Sequence, residues 1–342
     1  MRIPKRTMGI LTAGCMLSAV PLRAHHSDAG MDVDSILAFD ATVTEFAFRN
    51  PHVYLSVESP NADGESVEWA LQMGTANGLT RRGWTRDTLQ PGDEVSVRIH
   101  PAMDGRPYGL LESVERAGGL GLQPADGATP APASTTTLAG TWRADADKLI
   151  RYPGGFDGFF RAHLVLTAEG AAAQAQYDPL STENPESTCL GRPTPAALAS
   201  TRLYLLEFEV DESNDTILIR SEFFDEERTI HMDGRSHPAD DQRYPTGHSI
   251  GRWEGDTLVI DTANFAGHRS PYQIGVPSGS QKHVVERYRL IENGTRMAAE
   301  FMLEDPEYLA EPFIHQRELI YSPHEEMFRF NCDPESTGRF VR

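Results

Sequence analysis

Short runs that alternate apolar with polar residues, broken by turn residues, organise most of this chain. Phe39 to Phe48 alternates loosely and carries Thr42, Val43 and Thr44, side chains that suit a pleated surface. Val53–Val57 predicts a second strand and Val67–Met73 a third, with the turn Asn61-Ala62-Asp63-Gly64 between them. Gly74 to Arg82 predicts a short helix or loop. Val95–His100 and Tyr108–Glu115 complete five strands, which suit a small Greek-key barrel of the OB type.

The same pattern resumes after residue 137. Arg202–Val210, Thr216–Phe224, Arg228–Met232, Ser249–Trp253 and Thr257–Asp261 predict strands, as do Val284–Ile291, Arg296–Leu303 and Pro312–Tyr321. Tight turns such as Asp233-Gly234, Glu254-Gly255-Asp256 and Glu292-Asn293-Gly294 punctuate them. The class is all-β, and this second set predicts a larger antiparallel, lipocalin-like barrel. About eight strands would enclose either packed side chains or one small ligand.

Between the sets, Gly118 to Thr137 is rich in Gly, Pro, Ala, Ser and Thr, and cannot bury enough surface to fold. It predicts a linker over 118–137, a small domain over 25–117 and a larger one over 138–342. Residues 1–24 read as a secretory signal peptide: basic Arg2, Lys5 and Arg6, an apolar run from Met8 to Val20, and Ala24 at the cut. That run is too short to span a bilayer, and no later stretch is apolar enough. Thr12-Ala13-Gly14-Cys15 loosely resembles a lipoprotein cleavage site, the competing reading. Export to the periplasm or beyond is the expectation under either.

Charge narrows the partners. The formal charge is −19, and loss of Arg2, Lys5, Arg6 and Arg23 would take it to −23. Nucleic acid and anionic membranes are poor partners for such a chain. Past Cys15, only Cys189 and Cys332 remain, and an oxidising compartment pairs them as a disulfide, worth about 2–4 kcal/mol.

Several runs resemble two uncharacterised families of exported bacterial domains. His25-His26-Ser27, Asn50-Pro51-His52-Val53-Tyr54 and Leu89-Gln90-Pro91-Gly92-Asp93 look like one. Gly247-His248-Ser249-Ile250-Gly251-Arg252-Trp253-Glu254-Gly255-Asp256-Thr257-Leu258-Val259-Ile260-Asp261-Thr262 resembles the other. The resemblances imply exported β-rich domains and supply no reaction.

Two histidine constellations could carry chemistry. Cleavage after Ala24 would give His25 a free amine beside its imidazole, a chelate suited to Cu(II), with His52 and His26 or His100 completing the set. The plainer alternative is a solvated tail and an ordinary surface His52. In the second domain, His231, His248 and His283 could act as acid or base near neutral pH, oriented by Asp261 or Glu286. His283 and Glu286 fall on opposite faces of an ideal strand. The alternative makes these histidines hydrogen-bonded caps around turns. No nucleophile elbow, phosphate loop, dinucleotide fingerprint or His-Glu-x-x-His occurs. Three functions stay open: a copper-binding exported protein whose larger barrel holds a small molecule, a cofactor-independent lyase, isomerase or hydratase, and a non-catalytic binding or assembly module.

Overall fold

A computed structural model describes residues 30–116, 120–121, 133–150, 152, 155–339 and 341. The signal segment, His25, His26, Cys15 and most of the predicted linker lie outside the described residues.

The first set of strands closes as the sequence predicts. β1 (Leu37–Ala47), β2 (Tyr54–Pro60), β3 (Ser66–Gln72), β4 (Glu94–Pro101), β5 (Tyr108–Arg116) and the short β6 (Leu120–Gly121) lie in the order β3-β2-β1-β4-β5-β6. A parallel pairing of β3 with β5, Leu71 opposite Gly109, shuts five of them into a barrel. Every second residue of β4 (Val95, Val97, Ile99) turns inward against Val43, Leu55, Val57 and Leu71. Helix α1 (Ala76–Thr80) starts where the Thr75 hydroxyl accepts the Gly78 N–H. Gly109 has to be glycine, because a Cβ there would meet Ile99 Cδ1 at 2.8 Å and the His100 carbonyl oxygen at 2.9 Å.

The larger barrel has nine strands: β7 (Gly140–Ala144), β8 (Leu206–Asp211), β9 (Thr216–Ser221), β10 (Glu226–His231), β11 (His248–Glu254), β12 (Thr257–Ala263), β13 (His283–Ile291), β14 (Arg296–Glu304) and β15 (Phe313–Tyr321). β15 pairs with β7 to complete the ring. All pairings are antiparallel except β10 with β11, which runs parallel over Ile230–His231.

Its interior is filled, and the sequence reading missed what fills it. Between β7 and β8 the chain leaves the wall and forms α2 (Gly155–His163), α3 (Ala168–Ala175) and α4 (Ala196–Ala199). Phe159, Phe160, Ala197 and Leu198 of this plug pack with Trp142, Phe208, Ile260, Phe301 and Phe313 of the wall. Burying each aromatic ring contributes about 1.5–3 kcal/mol. One interior void, lined by Leu198, Ile219, Arg228 and Glu286 among others, measures about 10 Å³, room for a single water.

A strap over 328–339, with α5 (Pro334–Gly338), binds the barrels together. Asn50 donates its side-chain N–H to the Phe330 carbonyl at 2.6 Å, and Asp333 N–H donates to the Asn50 carbonyl at 2.9 Å. Arg49 pairs with Asp333 at 2.7 Å and Arg339 with Glu45 at 2.8 Å. Cys189 of the plug and Cys332 of the strap form a disulfide, with Cα atoms 5.8 Å apart. Beneath it the buried Glu222 receives Arg81 of the small barrel and the Phe328 N–H.

Candidate functional site

Four histidines of the larger barrel, His231, His237, His248 and His283, gather on its outer wall. Along β12, Leu258, Ile260 and Thr262 face inward, so Asp261 faces out. Its Oδ1 accepts from His283 Nε2 at 2.8 Å and from His237 Nε2 at 3.1 Å. His237 Nδ1 lies 3.0 Å from His248 Nδ1, and the His231 ring stacks on His248 with centroids 5.1 Å apart. His283 Nδ1 reaches Glu304 at 3.2 Å.

The charge states follow from these contacts. Asp261, then Glu304, raises the His283 pKa, while partial burial lowers those of His231 and His248. The hydrogen bond from His283 holds Asp261 below the usual carboxylate range. His283 thus lies between two carboxylates that favour its protonated form, while burial favours the neutral form of His248. Such a chain can store and pass a proton. Strand parity turns His248 and His283 away from the core, and neither lines the cavities described below.

Glu286 belongs to a different environment. It points inward, taking Arg228 Nη1 at 2.5 Å and the Tyr288 hydroxyl at 2.6 Å. It cannot orient His283, which leaves the opposite face of β13. Arg228 also reaches Thr262 at 3.1 Å and Ser249 at 3.4 Å. Beside this cluster, burial pushes Glu226 up to about 7.

Of the proposed copper ligands, His25 and His26 lie outside the described residues, and His52 and His100 are not brought together. His100 is paired through Nδ1 with the Ser35 carbonyl at 2.9 Å, near the Leu37 end of β1. His52 lies past the Ala47 end, where its carbonyl accepts from Ser336. Ten residues of strand, about 30 Å at ~3.3 Å each, separate those ends. One ion cannot take both. Among the described residues, no group of three or more His, Cys, Asp or Glu is placed to hold a metal.

A cavity of about 540 Å³ lies where the barrels meet. Pro51, His52 and Thr75 of the small barrel form one wall. Phe156 and Phe159 of α2, with Tyr204, Phe223 and Phe224, supply aromatic surface. Arg192, paired with the buried Glu186, lies over Phe156 at 4.8 Å and Phe223 at 4.9 Å. His315 and Arg317 enter from β15, on the inward parity shared with Phe313 and Leu319. Burial lowers His52 and His315 to about 4, so both are neutral at pH 7. A smaller groove of about 420 Å³ runs between Trp84, Arg86 and the strap. The neighbouring Arg81 is occupied by Glu222.

Sequence reasoning singled out His52 from this cleft and none of its other residues. The available signal was the run Phe313, His315, Arg317, Leu319, in which two polar residues share the parity of two core positions.

Residues 14–112 match the model of a family of unknown function, DUF6152. No curated protein matches the chain. Among solved structures, a mutant of the fluorescent protein UnaG is similar to it at 11% identity, with a TM-score of 0.25. That alignment covers 54% of this chain and 96% of the other. At that score it adds nothing to the fold read from the strands themselves.

Proposed function

We propose that this chain is an exported binding protein that holds one small, partly apolar molecule in the cleft between its barrels. The observation that carries this reading is an aromatic-walled cavity of about 540 Å³ lined by residues of both barrels, among them Pro51 and His52 of the small one and Phe159 and His315 of the larger. Ligand sites commonly fall in this size range, are lined by aromatic side chains and form where two folded units meet. The export signal read in residues 1–24 supports a role outside the cytoplasm. The test is a titration with the neutral fluorophore N-phenyl-1-naphthylamine. Phe156→Ala should weaken binding by about fivefold, roughly 1 kcal/mol of lost ring contact. Absence of binding to the wild type, or an unchanged affinity in the variant, overturns the reading.

Copper at a trimmed terminus stands as a separate proposal. His52, neutral at pH 7 through burial, is a competent imidazole donor on the cleft wall. The mature protein should retain Cu(II), and an added Met before His25 should abolish that retention. Equal copper in both forms rejects the chelate.

A further inference from the structure

We infer that the cleft is built for an amphipathic anion, whose carboxylate, sulfonate or phosphate group is received at Arg317 while its apolar body lies on Phe156 and Phe159. This rests on the cleft being the binding site, as proposed above.

Arg317 is a buried cation without a counter-charge. It is 9% exposed, and its Nη1 donates only to neutral oxygens: Ala199 O at 2.6 Å, Leu198 O at 3.2 Å and Thr201 Oγ1 at 3.3 Å. Its Nε is buried with no hydrogen-bond partner among the described residues. No described carboxylate pairs with it. The other buried arginines differ: Arg228 is matched by Glu286 and Arg192 by Glu186. Removing a guanidinium from water without a partner is costly, and an arriving anion recovers that cost. Burial lowers Arg317 only to about 10, so it stays charged at pH 7.

Two further observations point the same way. His315, two residues earlier on the same face, has a buried Nε2 with no partner among the described residues. With Arg192 paired to Glu186 and Lys148 to Glu318, the cleft wall still carries Arg202 and Arg317 against Asp157, in a chain whose formal charge is −19. A local surplus of cations on so acidic a protein draws anions to this place and away from the rest of the surface.

The experiment compares two probes with one body: 1-anilinonaphthalene-8-sulfonate and N-phenyl-1-naphthylamine, which lacks the sulfonate. Wild type should bind the sulfonate at least about tenfold more tightly, the margin of one charge-assisted contact. Arg317→Gln should erase that preference, read as the ratio of the two affinities, and Arg317→Lys should restore part of it. A second measurement needs no variant: laurate should displace the bound sulfonate at concentrations where dodecanol does not. Equal affinity for the two probes, a preference that survives Arg317→Gln in folded protein, or equal displacement by laurate and dodecanol overturns the inference and leaves the cleft as a site for neutral molecules. If neither probe binds, the cleft reading itself fails and takes this inference with it.

Discussion

Lys282 should be a liability that methionine relieves, and only below a defined pH. The side chain is 2% exposed, and its Nζ has no hydrogen-bond partner among the described residues. It lies over the Phe265 ring at 4.4 Å and the Tyr272 ring at 5.2 Å. Burial lowers its pKa from 10.5 to about 7, opposed by Asp305 and Glu226. The unfolded chain then binds more protons than the native one between pH 7 and 10.5, so stability rises with pH across that window. Below pH 7 the full penalty stands, on the order of 5 kcal/mol. Methionine has similar length and no charge, but forfeits the two ring contacts, about 1–2 kcal/mol. Lys282→Met should therefore raise stability at pH 6 by about 3–4 kcal/mol and change it little at pH 10. Urea unfolding followed by far-UV circular dichroism at both pH values measures this. A variant less stable at pH 6, or one that gains equally at both, refutes the reasoning.

Other outcomes follow from the same contacts. Glu222→Ala strands the Leu205 and Phe328 N–H groups and half-releases Arg81, so it should cost about 2–4 kcal/mol in urea unfolding; a loss under about 1 kcal/mol contradicts that account. Cys189→Ser opens a link between residues 143 apart and should lower stability by about 2–5 kcal/mol. Wild type in reductant should match this variant, and a thermal midpoint unmoved in both cases rejects it. By NMR titration, His283 should protonate above 6.5, and His231 and His248 below it. The stabilisation from His283 is present below 6.5 and lost as pH rises through its raised folded value. Asp261→Asn should bring His283 back toward 6.5, and an unchanged titration disproves the pairing.

Strand periodicity was readable from sequence wherever one face was apolar. Val284–Ile291 becomes β13 at His283–Ile291, and Arg296–Leu303 becomes β14 at Arg296–Glu304. The pairing of Cys189 with Cys332 was readable by elimination. The plug was not. The sequence of α3, Ala-Glu-Gly-Ala-Ala-Ala-Gln-Ala, offers no apolar stripe, and α4 is four residues long. Both are stabilised by what surrounds them rather than by their own pattern. The polar interior was hidden for a related reason. Arg228, Glu286 and Lys282 look like solvent positions until their partners, remote in sequence, are placed beside them. Parity did separate His283 from Glu286, but sequence alone could not say which of the two faced inward.

The strap has a consequence for how the finished molecule comes into being. Glu45 and Arg339 meet across 294 positions of sequence. The small barrel has all the strands of its ring by Arg116, but the larger one closes only when β15, ending at Tyr321, meets β7. The strap follows directly and fastens Asn50 and His52, on either side of Pro51 in the cleft wall. The stretch from 313 to 339 therefore both seals the larger ring and clamps the small barrel to it.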